Sequence, residues 1–182
     1  MKIKKIASLC KKTKLVNTII DKNNVQWIGN GYGIYPLFGM PIMSDENLCT
    51  IFDIAEKQVD KYRFTNGQCS KICFDDNCEK ENILEENDIT IIVADKVLKS
   101  YQTSNGIMFI DTDYLTPFDD MAEVDIYERI GNDGKLYFAI KVGLILYGIV
   151  MPYNCINEKF ITDIKLLTDQ CVIAWENKQE DE

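Results

Sequence analysis

Histidine is absent from this chain of 182 residues, and its absence limits the chemistry that the sequence can support. Histidine is the usual proton shuttle near neutral pH and the commonest metal ligand in proteins. Without it, the simplest acid–base catalysis, nucleophile activation and zinc binding are excluded. The remaining residue types favour a protein that acts by binding, and we expect no catalytic residues, no bound metal and no cofactor.

Three cysteines lie close together in a turn-rich segment, at Cys69, Cys73 and Cys78. With a fourth ligand such as Cys49, three thiolates could hold zinc. The spacing lacks the paired C-x2-C pattern of structural zinc sites, so unpaired thiols are the favoured interpretation. Seven cysteines without an export signal also predict reduced thiols and no disulfide bond.

Two further patterns resemble ligand-binding sites. Asp111 and Asp113 are two residues apart at the end of a predicted strand, so both carboxylates could bind one divalent cation, as in a metal-dependent nuclease. No further oxygen ligands follow at a recognisable spacing, and an exposed carboxylate pair is favoured. Gly29, Gly31 and Gly33 suggest a phosphate-binding loop, but strand-like residues follow where such a loop requires a helix. A tight turn is the favoured interpretation.

Charge is distributed unevenly along the chain. The first fourteen residues contain six lysines and no acid, whereas the remainder contains 14 bases and 29 acids, a net charge of −15. Two acidic clusters stand out, the first with Asp75, Asp76, Glu79, Glu81, Glu85, Glu86 and Asp88 and the second with Asp119, Asp120, Glu123, Asp125 and Glu128.

Carboxylates on a folded surface create a negative field that attracts a phosphate-binding channel on another protein. We therefore predict that partner binding involves Asp75, Asp76, Glu79, Glu81, Asp119, Asp120 and Glu123. The alternative is that an acidic protein of this kind needs no basic partner. In the lysine-rich start, the cluster of Lys4, Lys5, Lys11 and Lys12 is typical of a site for RNA or DNA phosphates, or else of an ordinary solvated helix face.

The elements that position these residues are predicted from hydrophobic periodicity and turn residues. Helices are predicted at 1–14, 44–60 and 157–168, with three strands within 15–37 and further strands at 89–94, 107–110, 124–130, 136–142, 143–150 and 171–175. Residues 65–88 are interpreted as turn-rich and irregular. The predicted fold class is α+β, mainly antiparallel sheet with about three helices, in one compact domain of residues 1–182.

Residues 15–60 and 124–175 share an order of three strands followed by a helix. An offset of 111 residues superimposes Trp27 on Phe138 and aligns two Met-Pro pairs. This pattern indicates an internal β-β-β-α duplication, with the acidic middle section joining two similar halves. The alternative is that any two stretches of this order align equally well.

Several segments resemble one protein family. They are Trp27 to Leu37 followed by Pro41 and a helix capped by Ser44, then Ile72-Cys73-Phe74-Asp75-Asp76, and then Gly148 to Pro152. Together with the chain length, these segments resemble the phage and prophage type II-A anti-CRISPR protein family of gut Clostridia that is the eleventh named in its class. The resemblance implies stoichiometric binding to the RNA-guided DNA nuclease of type II CRISPR systems, which hinders engagement or cleavage of target DNA. Guide RNA and target DNA are possible further partners.

A second hypothesis is a phage replication or structural accessory protein with a clamp-like, β-rich module. The two hypotheses differ in the partner, since an inhibitor should co-elute with the nuclease and a clamp should close into a ring. The longest apolar run, residues 143–151, is shorter than the roughly 20 residues of a membrane-spanning helix, and no signal peptide is recognisable. We therefore expect a cytoplasmic protein, in a bacterial host cell, that does not enter the membrane.

Overall fold

The computed structural model describes residues 1–67 and 69–180, and beyond residue 173 it includes only one side chain, that of Trp175. The helices are α1 (Ile3–Thr13), α2 (Asp45–Ile51), α3 (Glu56–Val59) and α4 (Glu158–Glu180), and a 3-10 helix spans Thr112–Phe118. The strands are β1 (Leu15–Ile20), β2 (Gln26–Gly29), β3 (Gly33–Pro36), β4 (Arg63–Gly67), β5 (Glu81–Ile83), β6 (Glu86–Val93), β7 (Lys96–Thr103), β8 (Gly106–Asp111), β9 (Val124–Ile130), β10 (Leu136–Val142) and β11 (Ile145–Val150).

The fold is α+β with mainly antiparallel sheets, as predicted. The described residues contain four α-helices and one 3-10 helix, in place of the three helices expected. Eight strands form one sheet in the order β4-β1-β2-β3-β11-β10-β9-β5, and β6, β7 and β8 form a second sheet. The parallel pairing of β4 with β1 is the exception to the antiparallel pattern.

The centre of the large sheet consists of two antiparallel meanders, β1 to β3 and β9 to β11. They join through their third strands, where Ile149 pairs with Ile34 and Val150 with Gly33. The short strands β4 and β5 form the two opposite edges of the sheet. Because the meanders share one continuous hydrogen-bonded sheet, residues more than 100 positions apart in sequence belong to a single layer.

This arrangement bears on the predicted duplication. Ile20 pairs with Gln26 in the first hairpin, and Ile130 pairs with Leu136 in the corresponding hairpin of the second meander. The two hairpins therefore correspond at an offset of 110 residues, one fewer than the sequence alignment used.

The difference of one residue decides which face of the sheet a side chain occupies. At an offset of 111, Trp27 would correspond to Phe138, which belongs to the apolar cluster on the opposite face. At an offset of 110, Trp27 corresponds to Tyr137, and both side chains lie in the same cluster. The alignment was wrong in register for this hairpin, while the duplication itself stays a prediction.

Both faces of the large sheet are covered, and this explains the burial of β10 along most of its length. On one face, Ile28, Phe138 and Ile140 belong to the main core, which also includes residues of α1, α2, the 3-10 helix and the small sheet. On the other face, Trp27 and Tyr137 pack with residues from the segment that follows β4. Because both faces are covered, Tyr137 and Ala139, which would face solvent in a sheet covered on one side, are buried as well.

The middle of the chain is more regular than predicted. The interval between β4 and β9 contains β5 and the three-stranded sheet, of which β7 was not predicted. Tyr101 on β7 and Ile110 on β8 are buried in the main core. The small sheet therefore packs against the same core as the large sheet.

The predicted helix over 44–60 is interrupted. Ser44 caps α2 as expected, since its hydroxyl accepts a hydrogen bond from the backbone N–H of Asn47. Asp53 then adopts a left-handed conformation with φ of 52°. Its N–H donates to the carbonyl of Thr50, and the N–H of Ile54 donates to the carbonyl of Cys49. These two bonds form a Schellman motif, which ends α2 and separates it from α3.

The C-terminal prediction was wrong in two respects. The strand expected at 171–175 is part of α4. The periodicity that predicted a helix at 157–168 also placed Ile161, Ile164 and Leu167 on an inward face, and these three side chains are exposed. The β-branched pair Val172 and Ile173 favours a strand by propensity. No described strand pairs with this segment, so only a helix satisfies its backbone hydrogen-bonding groups within the chain.

The central position of β10 gives a test of the core. Truncation of the fully buried Phe138 to alanine should lower the free energy of unfolding by about 3–5 kcal/mol, because it leaves a cavity between the sheet and the helices. Urea denaturation followed by circular dichroism measures this loss. The matched control is Ile130→Ala on the neighbouring strand, where the side chain is 45% exposed and a loss within about 1 kcal/mol is expected. Equal losses would contradict the described burial.

Candidate interaction surface

The first acidic cluster begins in a loop that covers one face of the large sheet. This acidic loop, residues 69–80, has an apolar underside formed by Cys69, Ile72 and Phe74, which pack against the cluster containing Trp27 and Tyr137. The rings of Trp27 and Phe74 meet edge to face with their centroids 5.0 Å apart. Burial of this apolar underside fixes the loop on the sheet and leaves its polar side chains on the outer side.

Arg129 on β9 holds the backbone of the acidic loop. Its side chain is fully buried. One terminal nitrogen, Nη1, donates to the carbonyl oxygens of Cys73 at 3.2 Å and Asp75 at 2.8 Å, and Nη2 donates to that of Asp76 at 2.9 Å. These carbonyls come from a loop without strand partners, so the guanidinium satisfies groups that would otherwise be buried unpaired.

Glu81 balances the charge of Arg129. Nε of Arg129 donates to Oε2 of Glu81 at 2.8 Å, and Nη2 lies 2.6 Å from the same oxygen. The buried Lys141 on β10 donates to Oε1 of Glu81, and its Nζ lies 4.6 Å from the ring centroid of Tyr127. Burial alone would raise the pKa of Glu81, but hydrogen bonds and charge from Lys141 and Arg129 outweigh burial and hold this pKa below its ordinary value.

The other carboxylates of the first cluster differ in accessibility. Asp75 is half-buried and forms an ion pair with Lys22 at 2.7 Å. Asp76 is exposed, and its Oδ1 accepts a hydrogen bond from the backbone N–H of Leu146 at 2.9 Å. Glu79 is exposed, and no ion-pair partner lies near it among the described residues. Of the four predicted binding residues in this loop and β5, Glu81 bonds to buried cations, Asp75 is half-buried, and Asp76 and Glu79 are exposed.

The lysines of α1 and the second acidic cluster, predicted as separate binding features, lie beside each other. Nζ of Lys5 is 4.0 Å from Asp119, and the terminal amine of Met1 is 3.7 Å from Asp120. Glu123 is exposed in the turn before β9.

Lys12 also interacts within the chain. Its Nζ lies 2.9 Å from Asp95 and 3.2 Å from Asp113, and hydrogen bonds to these two carboxylates raise its pKa. Lys4 and Lys11 have no ion-pair partner among the described residues. Nearby acids therefore balance the terminal amine, Lys5 and Lys12, while Lys4 and Lys11 stay available for other contacts.

Asp111 and Asp113 were predicted to form an exposed carboxylate pair, but only the side chain of Asp113 is accessible to solvent. Asp111 is 2% exposed and forms an ion pair with Lys96. Its other oxygen accepts a hydrogen bond from the N–H of Asp113 at 3.1 Å and thereby caps the 3-10 helix. The interpretation of Asp111 as an exposed residue was wrong, since its carboxylate stabilises a helix end and neutralises a half-buried lysine.

The cysteine cluster has structural contacts in the acidic loop. The N–H of Cys73 donates to the hydroxyl oxygen of Tyr137 at 3.0 Å, and burial raises the pKa of the Cys73 thiol. Cys69, Cys73, Cys78 and Cys49 are free thiols. Within residues 1–67 and 69–180, no group of three or more cysteine, aspartate or glutamate side chains is arranged to hold a metal ion.

Sequence reasoning missed the residues that support the acidic loop. Arg129 was not selected, although it is one of only two arginines and lies within a strand pattern of apolar residues. Lys141 likewise interrupts the apolar pattern of β10. A charged residue at such a position indicates a buried ion pair, because an unpaired charge in a sheet interior is costly. Glu81 was predicted as a surface binding residue, and its pairing with Arg129, 48 residues later in the sequence, was not predicted.

Comparison of the chain with protein-family profiles, curated proteins and solved structures finds no match. Among the described helices, none is both long enough and apolar enough to cross a membrane.

Arg129 provides a direct test of the loop anchor. Replacement by glutamine should lower the free energy of unfolding by about 3–5 kcal/mol, because Glu81 and three loop carbonyls lose a buried partner. Urea denaturation gives the loss, and limited proteolysis should cut the variant within residues 69–80. The matched control is the other arginine, in Arg63→Gln, which is exposed on the edge strand β4 and should change stability by less than about 1 kcal/mol. An intact, protease-resistant loop in Arg129→Gln would contradict the assigned anchor.

The lowered pKa of Glu81 also predicts a pH dependence. A carboxyl group whose pKa is lower in the folded state stabilises the fold above its unfolded-state value, about 4.3, and loses this contribution as pH falls through the folded-state value. The wild type should therefore exceed Glu81→Gln in stability at pH 7, and the difference should shrink below about pH 4.3. Paired urea denaturations between pH 7 and pH 3 measure it. A difference that is constant with pH would mean that the carboxylate is not charged in the fold.

Proposed function

We propose that this protein inhibits the RNA-guided DNA nuclease of type II-A CRISPR systems by stoichiometric binding that hinders target DNA engagement or cleavage. The observation that carries the proposal is the acidic loop, in which exposed carboxylates stand on a backbone held by the buried Arg129. The resemblance of Ile72 to Asp76 to anti-CRISPR sequences lies in the same loop. In this proposal the protein is not an enzyme, needs no cofactor, and acts in the cytoplasm of the host cell.

The charge of the loop suits such a partner. The nuclease holds its guide and target strands in positively charged channels, which it lines with residues that bind phosphate. Carboxylates on a fixed backbone can occupy such a channel without the entropic cost of ordering a flexible tail. Exposed negative charge also accelerates encounter with a basic surface, and salt screens this effect.

The accessible part of the proposed surface is narrower than the sequence suggested. Asp76 and Glu79 are exposed on the loop, and Glu85 continues the acidic surface before β6. Asp75 is half-buried against Lys22, and Glu81 faces the interior, so both support the surface more than they contact a partner. Asp119, Asp120 and Glu123 form a second acidic surface, where Asp119 lies 4.0 Å from Lys5. For the lysines of α1, namely Lys4, Lys5, Lys11 and Lys12, guide RNA or target DNA is a further candidate partner.

A phage accessory protein with a clamp-like module remains the second candidate function. The observation that favours it is the continuous sheet formed by two meanders that meet through β3 and β11. A duplicated module of this kind would suit ring assembly by repetition. In that case the protein should form closed rings by itself and should leave the nuclease active.

The experiment is a target-cleavage assay with a guide-loaded type II nuclease and excess protein. Cleavage should stop while nuclease, guide and DNA remain intact on gels, because a binder leaves its partners chemically unchanged. The triple variant Asp76→Asn, Glu79→Gln, Glu85→Gln should bind the nuclease about three- to tenfold more slowly at low salt. Asparagine at position 76 retains an oxygen that can accept the hydrogen bond from Leu146.

The control removes three negative charges outside the acidic loop. Asp53→Asn, Glu56→Gln, Asp60→Asn changes exposed residues in the segment between α2 and β4. This control should associate at the wild-type rate in surface-plasmon-resonance measurements. Equal slowing of both variants would indicate a general effect of net charge, and uninhibited cleavage at every concentration would overturn the proposed function.

A further inference from the structure

A cavity of about 340 Å³ lies where the acidic loop meets β2 and β11 of the large sheet. Four aromatic side chains and two carboxylates line this aromatic cavity, namely Trp27, Phe38, Phe74, Tyr147, Asp21 and Asp76. Among the described residues, neither a lysine nor an arginine lines it. Lys22, the basic residue next to Asp21, pairs with Asp75 outside the cavity. The cavity therefore combines aromatic rings with negative charge that no lining cation neutralises.

The four rings form two edge-to-face pairs. The ring centroids of Phe38 and Tyr147 are 5.2 Å apart, close to the spacing of the Trp27–Phe74 pair. Phe38 is 43% exposed and Trp27 is 1% exposed, so the cavity extends from an open aromatic residue to a buried one. The face of an aromatic ring carries partial negative charge and attracts a cation.

Both carboxylates are held in place by hydrogen bonds and keep oxygen atoms available. Oδ1 of Asp21 accepts from two backbone N–H groups of its own turn, at 2.8 and 2.9 Å, and Oδ2 accepts from Nε1 of Trp27 at 3.0 Å. Oδ1 of Asp76 accepts from the N–H of Leu146, and within the described residues Oδ2 of Asp76 has no hydrogen-bond donor. Because each oxygen of an ionised carboxylate accepts about two hydrogen bonds, Oδ2 of both residues can accept a further donor.

These features are typical of a site for a planar cation. A neutral apolar group would fill the cavity but leave two carboxylates without a partner. The guanidinium group of arginine stacks on aromatic rings, is more weakly hydrated than an ammonium group, and donates several hydrogen bonds to carboxylates. We propose that the aromatic cavity binds the arginine side chain of a partner protein, with the guanidinium against the rings and its N–H groups on Asp21 and Asp76. That this arginine belongs to the type II nuclease rests on the proposed function.

The test uses the full chain and the peptide acetyl-Gly-Xaa-Gly-amide, in which Xaa is arginine, lysine or citrulline, the neutral analogue of arginine. The chain contains two tryptophans, so NMR distinguishes the indole N–H of Trp27 in the cavity from that of the exposed Trp175. The arginine peptide should shift the Trp27 signal saturably, and it should bind about threefold or more tightly than the lysine peptide and about tenfold more tightly than the citrulline peptide. No shift of Trp27 with the arginine peptide, or equal binding of either other peptide, would overturn the proposal.

Two substitutions test the groups that line the cavity. Asp76→Asn should weaken binding of the arginine peptide about three- to tenfold, because it removes a charge and keeps the oxygen that accepts from Leu146. Phe38→Leu should weaken it about threefold, because it removes an aromatic face from a half-exposed position. The control Glu79→Gln removes a charge from the same loop, outside the cavity, and should change the affinity by less than about twofold. Unchanged binding in either cavity variant, or equal weakening in the control, would overturn the assigned site.

The peptide measurement needs no nuclease, so its failure is distinguishable from failure of the proposed inhibition. Peptide binding without nuclease inhibition would support the arginine site and assign it to a different partner protein. Inhibition without binding of the arginine peptide would leave the proposed function in place and show that the cavity assignment is wrong.

Discussion

The buried guanidinium of Arg129 is the interaction on which the outer half of this structure depends. The acidic loop has few backbone partners in the sheet, and three of its carbonyl groups converge on this one side chain. A buried cation is tolerated only when its hydrogen-bonding and charge requirements are met, which the loop and Glu81 do together. Without the loop, one face of the central strands, including Trp27 and Tyr137, would face water. The same contact therefore completes the second apolar cluster and positions the acidic surface.

Charge balance beneath the loop explains how so many acids can lie in one segment. Arg129 and Lys141 provide two buried positive charges, whereas Glu81 provides one negative charge. The guanidinium of Arg129 lies next to Asp75 and Asp76, whose backbone carbonyl oxygens accept hydrogen bonds from it. Electrostatic attraction in this poorly screened region opposes the mutual repulsion of the carboxylates above it. The acidic surface is thus supported by buried charge that a count of surface residues does not include.

The sequence predicted those features that depend on local pattern. It predicted the fold class, α1, the Ser44 cap, and both meanders, because periodicity and turn residues are local signals. Prediction from sequence failed where contacts between residues far apart in the chain determine the structure. The alternating apolar pattern of β10 indicates one buried face of the strand. It does not indicate that the other face is buried too, because the residues that cover that face belong to the segment 69–80. The Arg129–Glu81 pair was missed for the same reason, because its members are adjacent only after β5 pairs with β9.

The two predicted charged regions, which look equivalent as sequence, differ physically in the fold. Two of the four lysines of α1, Lys5 and Lys12, lie within 4.0 Å of carboxylates, so part of the field of this helix is cancelled locally. In the acidic loop, by contrast, the buried cations bind mainly backbone carbonyls and Glu81, which leaves the carboxylate of Glu79 directed to solvent. A field that extends to a partner requires charge that is not neutralised locally. For this reason the loop, rather than the lysine-rich start of the chain, is the stronger candidate for long-range recognition.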